Sequence, residues 1–543
     1  MYLNKITVSL LSTIFLLLMA CNEEEFLDRY PKASPSPSSF FVNAESARMA
    51  VNACTSPWQF DSYTMFRRDM VMLLDGLSDD SYVTPNRSNQ VALEMWNVSP
   101  THENVVGWWR YPYQSINAAN FAIDNIPRSL DPNFTPEKQA AYIAEAKFYR
   151  AYSYLFLTFF YGDVPLLTSA ASSFEEFNTP RTPKAQVLAQ VVEDFTYAKD
   201  NLPAKQTLQG PPNKAAGAAF LAKTYLVLKD WPKAETAARE AIQIAEANGH
   251  KMLDDYMAVH TQEGNPELLF YWSYAENLLG YGNDATVQRL CRNLPAPLKV
   301  GVWGDGWGCD LPQRNLFDAF EEGDPRRGYT LYYPGQDFGI YNGTTNYTCN
   351  HEKYDETGKI VKWQTTYKPG DMVKYDHTWS PTGLNVRKRI TSMKGLVAVG
   401  QCGLDIPVMR MGELYLILAE ALAEQGKPEA LNWVNKVRAR ASVNMPPKTA
   451  ADGSLVDLVR HERRVELALE GLRLFDLIRW GTIKNVFGDG TKVKRHFYSD
   501  YMPASSNMKF DKPIGNLTLD ALFPLPQYEI DNNSEIDMNN PGW

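Results

Sequence analysis

Cysteine and histidine are scarce in this chain, with 6 and 7 copies among 543 residues, and neither type clusters. There is no CxxC pair and no two histidines stand at ligand spacing, so the residues offer no zinc site. A basic excess is also missing. Lys and Arg total 54 against 63 Asp and Glu, a net charge of −9, which leaves no basic stripe to neutralise a phosphate backbone and excludes a nucleic-acid binder. The short run RKRITSMK from Arg387 lies among glycines and reads as a solvated strand or loop. The catalytic signatures GxSxG and HExxH are absent, as is a phosphate loop; GYGND from Gly280 is too short and has no following helix. Asp75, Asp79 and Asp80 do not have the twelve-residue spacing of a calcium loop and read as helix caps and turns. Metal sites and cofactors are therefore not expected. Carboxylates are plentiful, so composition leaves a glycan-degrading acid/base pair open, because such a pair is defined by a separation in space.

The longest apolar run is short as well. It extends from Ile6 to Ala20 behind Lys5, broken only by small hydroxyl residues, and it ends at Cys21. That length suits the hydrophobic part of a signal peptide and not a span of about 20 residues. Leu18-Met19-Ala20-Cys21 resembles a bacterial lipobox, in which cleavage precedes a cysteine that carries the lipid. The acidic Asn22-Glu23-Glu24-Glu25 resembles the export signal of surface lipoproteins of the Bacteroidetes. Residues 1–20 are thus expected to be a lipoprotein signal peptide and 21–40 a lipidated extended tether, since PKASPSPSS from Pro31 cannot hold a regular element. The remaining Cys54, Cys291, Cys309, Cys349 and Cys402 are odd in number; Cys309 with Cys349 is the pairing to look for if a disulfide forms, and buried free thiols are the alternative.

What the chain has in quantity is apolar and aromatic side chains, 44% and 12% of residues, enough for a large core. Asn43 or Ser46 can cap a helix through Ala53. Pro136 to Phe160 reads as a helix in which recurring alanines precede the bulky YSYLFLTFFYG. Lys214 to Ala247 contains two alanine-rich helices about Lys229-Asp230-Trp231-Pro232, and Met411 to Ala441 repeats the pattern about Gly426 and Pro428. Small residues receiving bulky ones from the next helix are the packing logic of tetratricopeptide repeats. The fold expected is mainly α: a tetratricopeptide-like scaffold with few short strands, in an N-terminal part (41–251) and a C-terminal part (406–543). Between them, residues 252–405 form a loop-rich excursion with five of the thirteen tryptophans and a helix at Leu311 to Phe320.

Arg460 to Trp480, RHERRVELALEGLRLFDLIRW, is the densest mixture of charge and apolar residues. Helical spacing pairs Arg463 with Glu466, Glu470 with Arg473, Arg473 with Asp476 and Asp476 with Arg479, all three apart. With Leu474, Phe475, Leu477, Ile478 and Trp480 among them, these charges read as ion-paired framework in a buried helix, not as a catalytic strip. ERRVELALEGLRLFDLIRWG resembles the helix that marks the SusD/RagB family of outer-membrane lipoproteins. RMGELYLILAEALAEQG from Arg410 and LFPLPQYEIDNNSEIDMNNPGW from Leu522 to Trp543 resemble the same family in the same order.

The resemblance implies a surface-exposed, lipid-anchored protein of the outer membrane, sitting over a SusC-like TonB-dependent transporter and delivering glycan to it without breaking a bond. A peptide-uptake member of the family and a glycan-degrading enzyme are the alternatives. Sugar rings stack on flat aromatic faces while their hydroxyls need planar polar partners, and loops on a rigid scaffold are where such groups collect. Trp303 and Trp307 about Asp305 are the first candidates, with Tyr341 beside Asn342. Trp96, Trp108 and Trp109 are the second group, the last two placed at a loop–helix junction because Pro112 follows.

Overall fold

The computed structural model describes residues 40–59, 65–66, 69–83, 88–171, 173, 175–275, 310–340, 344–354, 359–380, 382–389, 403–487 and 522–543. Asn43 caps α1 (Ala44–Ala53) in a reciprocal box with Ser46. The wholly buried α2 (Met70–Gly76) leads into strand β1 (Ser81–Val83). Next, α3 (Glu103–Asn125) packs along α4 (Pro136–Tyr161), which opens on a Thr135 cap with proline in its first turn. Pro112 lies inside α3, so Trp108 to Tyr111 belong to a helix and not to a loop–helix junction. A proline there costs about 3 kcal/mol, and the burial of Trp108, Trp109, Ile116 and Ala119 on the same helix outweighs it.

After the short ladder of β2 (Val164–Pro165) with β3 (Arg181–Thr182) come α5 (Lys184–Asn201), α6 (Lys214–Val227) and α7 (Trp231–Ala247). Ala215, Ala216, Ala218, Ala219 and Ala222 of α6 and Ala234, Ala238, Ala241 and Ala245 of α7 are almost completely buried, as the small-to-bulky logic requires. Gly217 lets the backbones touch: a Cβ there would stand 2.8 Å from the Lys199 nitrogen of α5.

The excursion leaves through β4 (Leu268–Trp272) and returns through β10 (Ile406–Arg410), which pair antiparallel. Between them are β5 (Asp310–Pro312), β6 (Asp337–Ile340), β7 (Tyr347–Tyr354), β8 (Ile360–Tyr367) and β9 (Met372–Lys374). The expected helix at 311–320 is a strand followed by a shorter helix, Arg314–Ala319. β7 and β8 form a hairpin from Tyr347↔Tyr367 to Tyr354↔Ile360. Its strand pattern escapes the sequence because β8 is exposed at Ile360, Val361 and Lys362 and alternates only from Trp363 onward. Tyr332, Phe338, Val373 and Tyr375, with Trp379 against them, make a satellite core of their own. Trp272 instead enters the main core and stacks on Trp58 at 6.2 Å.

The scaffold resumes with α8 (Met411–Glu424), α9 (Ala430–Arg438), α10 (Leu455–Glu466) and α11 (Arg473–Arg479), and closes with α12 (Gln527–Asn532). α8 packs directly on α7, so the two repeats that flank the excursion are neighbours in space. Tyr415 donates to Glu246 at 3.0 Å and Arg239 meets Glu429 at 2.7 Å across this joint. Among the described residues no helix is long and apolar enough to cross a membrane. The architecture is mainly helical and tetratricopeptide-like, with short two-stranded ladders.

Candidate functional site

The segment Arg460 to Trp480 is two helices, not one. α10 stops at Glu466, Leu469 and Gly471 take φ of 58° and 76°, and α11 starts at Arg473. The break redirects the charges. Of the four local pairs expected from helical spacing, Asp476 with Arg479 stands at 2.7 Å. Arg463 turns to Asp476 at 3.1 Å, Arg473 to Asp79 at 2.7 Å, and Glu470 accepts from Lys388 at 2.6 Å and from Arg410 at 2.9 Å.

These pairs converge in a buried ionic cluster. Glu466 accepts from Arg410 and Arg440, both at 2.8 Å, and from Arg326 at 3.1 Å. Glu267 accepts from Arg410 at 2.9 Å and from Arg440 at 2.7 Å, while Glu462 accepts from Arg326 at 2.6 Å and from Arg438 at 3.0 Å. Burial alone would push the Glu466 carboxyl up, but the guanidiniums of Arg440, Arg410 and Arg326 together hold it down at about 2. Lys388 goes the other way: burial draws its ammonium down to about 8 against the pull of Glu470. Lys388 and Arg389 are both buried, so the start of RKRITSMK is framework and not a solvated loop.

The cluster determines where the excursion is mounted. Glu267 precedes its outgoing strand β4, Arg410 ends its returning strand β10, and Arg326 and Lys388 come from its middle. Arg326, Lys388 and Arg410 bond directly to α10 or to the turn after it, and Glu267 joins them through Arg410 and Arg440, all of them out of water.

A second clamp lies beside it. Asp79 and Asp80, which the sequence suggests as caps or turns, are the counter-ions of Arg473 and Arg464: Arg464 reaches Asp80 at 2.7 Å and Asp79 at 2.9 Å. The Gly471 amide donates to Asp75 at 2.8 Å. Burial would raise the Asp79 carboxyl, and Arg464 and Arg473 hold it well below the usual range. The clamp orients β1, whose residues Ser81, Tyr82 and Val83 pair with Pro312, Leu311 and Asp310 of β5. Ser81 also donates to the buried Asp310 carboxylate. In sequence, Trp307 precedes Asp310 of this ladder by three positions.

Trp303, Asp305, Trp307, Tyr341 and Asn342 themselves lie outside the described residues, as do Cys21 and the Cys309–Cys349 pairing. The second group of candidates is corrected. Trp96, Trp108 and Trp109 are 1%, 0% and 2% exposed. Trp108 stacks on Phe523 at 5.8 Å and meets Phe160 at 4.7 Å; Trp96 meets Phe523 at 5.3 Å; Trp109 meets Tyr161 at 5.0 Å. Their ring faces are occupied by other rings, so they hold the C-terminal tail onto α3 and α4 and do not form a sugar platform. The spacing Trp108-Trp109-x-x-Pro112 gave no sign of this, because Phe523 is remote in sequence.

The profile of the SusD family matches residues 266–543, just over half of the chain. The chain belongs to the SusD family. A second profile, described as starch-binding associating with the outer membrane, matches residues 25–226. Among relatives, the chain is 27% identical over 548 residues to SusD-like protein P2 of Formosa agariphila, covering 98% of each. It is 39% identical over 135 residues to the starch-binding protein SusD of Bacteroides thetaiotaomicron, covering 25% of this chain and 21% of that one. The fold superposes on a SusD-like carbohydrate-binding protein of Bacteroides fragilis with a TM-score of 0.73 at 25% identity, covering 91% and 99% of the two chains. As a SusD-like protein it binds carbohydrate and does not cleave it, which removes the glycan-degrading alternative.

Proposed function

We propose that this SusD-like protein captures an oligosaccharide outside the outer membrane and hands it to a SusC-like TonB-dependent transporter. A lipid on Cys21 anchors it, residues 22–40 serve as the tether, and no bond of the ligand is broken. Trp303 and Trp307 supply the stacking faces, Asp305 between them accepts hydroxyl protons, and Tyr341 with Asn342 adds a second aromatic–amide pair. One observation supports this most: the β1–β5 ladder, clamped by Arg464 and Arg473, is a rigid mount three residues from Trp307. A stacking site needs such a mount, because a loose aromatic loses in ordering what it gains in contact.

The test is calorimetry of the Trp303→Ala/Trp307→Ala variant against a polysaccharide panel, paired with a melting curve. Affinity should fall on the order of tenfold or more at unchanged melting temperature. Unchanged affinity sinks the site assignment. Replacing Cys21 with Ser should release the protein from membranes, and co-purification with the transporter should fall with it.

A further inference from the structure

A cleft of about 280 Å³ opens on the scaffold, and none of its described lining residues belongs to the excursion. One wall is the exposed face of α3, where Arg110, Gln114 and Asn117 recur at helical spacing. Two part-exposed aromatic residues also line the cleft, Phe177 and Tyr528, which are 43% and 37% exposed. Pro165 and Leu167 add apolar lining.

The polar groups in this cleft are unevenly committed. Glu529 is oriented by its neighbours: Trp109 donates to one carboxylate oxygen at 3.2 Å and Asn533 to the other at 3.1 Å. A carboxylate has about four acceptor positions, so these two bonds do not use them up. Among the described residues Arg110, Gln114 and Asn117 spend no side-chain donor or acceptor on the protein. Three planar hydrogen-bonding side chains, two part-exposed rings and an oriented carboxylate lining one cleft match the chemistry of a sugar ring. Such a ring presents C–H faces to stack and vicinal hydroxyls that both donate and accept. The volume of about 280 Å³ falls just below the range for small-molecule sites, about 300–1,000 Å³, which suits one or two rings and not a helix or a folded partner.

We infer that this cleft is a second carbohydrate subsite, separate from the Trp303–Trp307 run, that takes one or two neutral glycosyl units of the same chain. It rests on the reading of this protein as a glycan binder. Two footholds on one scaffold make the second contact intramolecular, so a polysaccharide is held more tightly than either subsite alone holds a disaccharide.

The experiment uses the mature chain with Cys21→Ser. Saturation-transfer NMR is recorded with maltose, cellobiose, laminaribiose and xylobiose at millimolar concentration. Four forms are compared: the parent, Trp303→Ala/Trp307→Ala, Arg110→Ala/Tyr528→Ala, and all four substitutions together. Asn117→Trp, which fills the cleft, is an independent blocking variant, and melting curves of every form verify folding. At least one disaccharide should still bind the Trp303→Ala/Trp307→Ala form, and the signal should vanish when the cleft is also altered or filled. The cleft substitutions alone should weaken polysaccharide affinity on the order of tenfold. Residual binding that survives both cleft variants overturns the cleft and leaves the primary site standing, as does loss of all binding in the Trp303→Ala/Trp307→Ala form. Silence of the parent toward all four disaccharides overturns both. Loss of transporter co-purification when Asn117→Trp is made on the chain that keeps Cys21, with sugar binding intact, overturns the subsite and assigns the cleft to the transporter instead.

Discussion

The Arg410 guanidinium lies 2.8 Å from the Glu466 carboxylate, 56 positions away in sequence, and both side chains are sealed from solvent. Arg410 also holds Glu267 and Glu470. Removing it therefore leaves three buried carboxylates each one cation short, with Arg440, Arg326 and Lys388 as the partners that remain. Arg410→Met should destabilise the fold by about 3–5 kcal/mol, read from urea unfolding. A loss below about 1 kcal/mol would show that water or a rearranged Arg440 takes over.

The same cluster makes stability depend on acid. Glu466 titrates at about 2 in the folded chain and near 4.3 when unfolded. Below that higher value the unfolded chain takes up a proton that the folded one refuses. The stabilisation is present above about pH 4.3 and is lost as pH falls through about 2. Glu466→Gln should therefore flatten the unfolding free energy over that window relative to the parent, besides lowering it overall.

His260 acts at a milder pH. It is buried 3.6 Å from Glu470, and Lys388, Arg410 and Arg389 face it as well. Burial, aided by those cations and opposed by Glu470, holds its imidazole well below the usual 6.5. Unfolding at pH 5–6.5 then takes up a proton, so stability falls as pH drops below about 6.5, by at most about 1.4 kcal/mol per pH unit. His260→Phe should remove that slope and leave the Glu466 window in place; an unaltered slope would assign it to another group.

Gly471 turns the chain between α10 and α11 with φ of 76°, and a Cβ there would lie 3.3 Å from Leu74 and 3.4 Å from Val71. Gly471→Ala should cost about 1–3 kcal/mol. Because the Gly471 amide holds Asp75 beside the β1 clamp, glycan affinity should fall along with stability. Full affinity in a destabilised variant would show that the clamp does not transmit to the ligand site.

Trp108 separates framework from ligand contact. Its ring is stacked on Phe523 in the core, so Trp108→Ala should destabilise by about 3–5 kcal/mol. Below the melting transition the affinity for glycan should be unaltered. A loss of affinity at unchanged stability would restore Trp108 to the binding surface.

Much of the helical framework was legible in the residues. Asn43 caps the helix it precedes, and the alanine rows of 214–247 pack as their spacing requires. These features are local: a cap satisfies amides two or three residues away, and a small-residue row faces one side of its own helix. Little of the candidate site was legible. The β5 strand and the β7–β8 hairpin have too few alternating positions to register, and the cleft joins residues from Arg110 to Glu529 that no spacing connects.

By itself the sequence determined the repeat scaffold and the charge-rich segment that marks the family. Only the tertiary structure decided which partner each charge takes. Within one helix, spacing dictates neighbours; a turn with positive φ at Leu469 and Gly471 cancels that rule, pairing Arg463 across the turn with Asp476 and sending Glu470 and Arg473 to segments elsewhere in the chain. Ring burial has the same origin, since the faces of Trp96 and Trp108 are covered by Phe523, which reaches them only once the C-terminal tail has folded back.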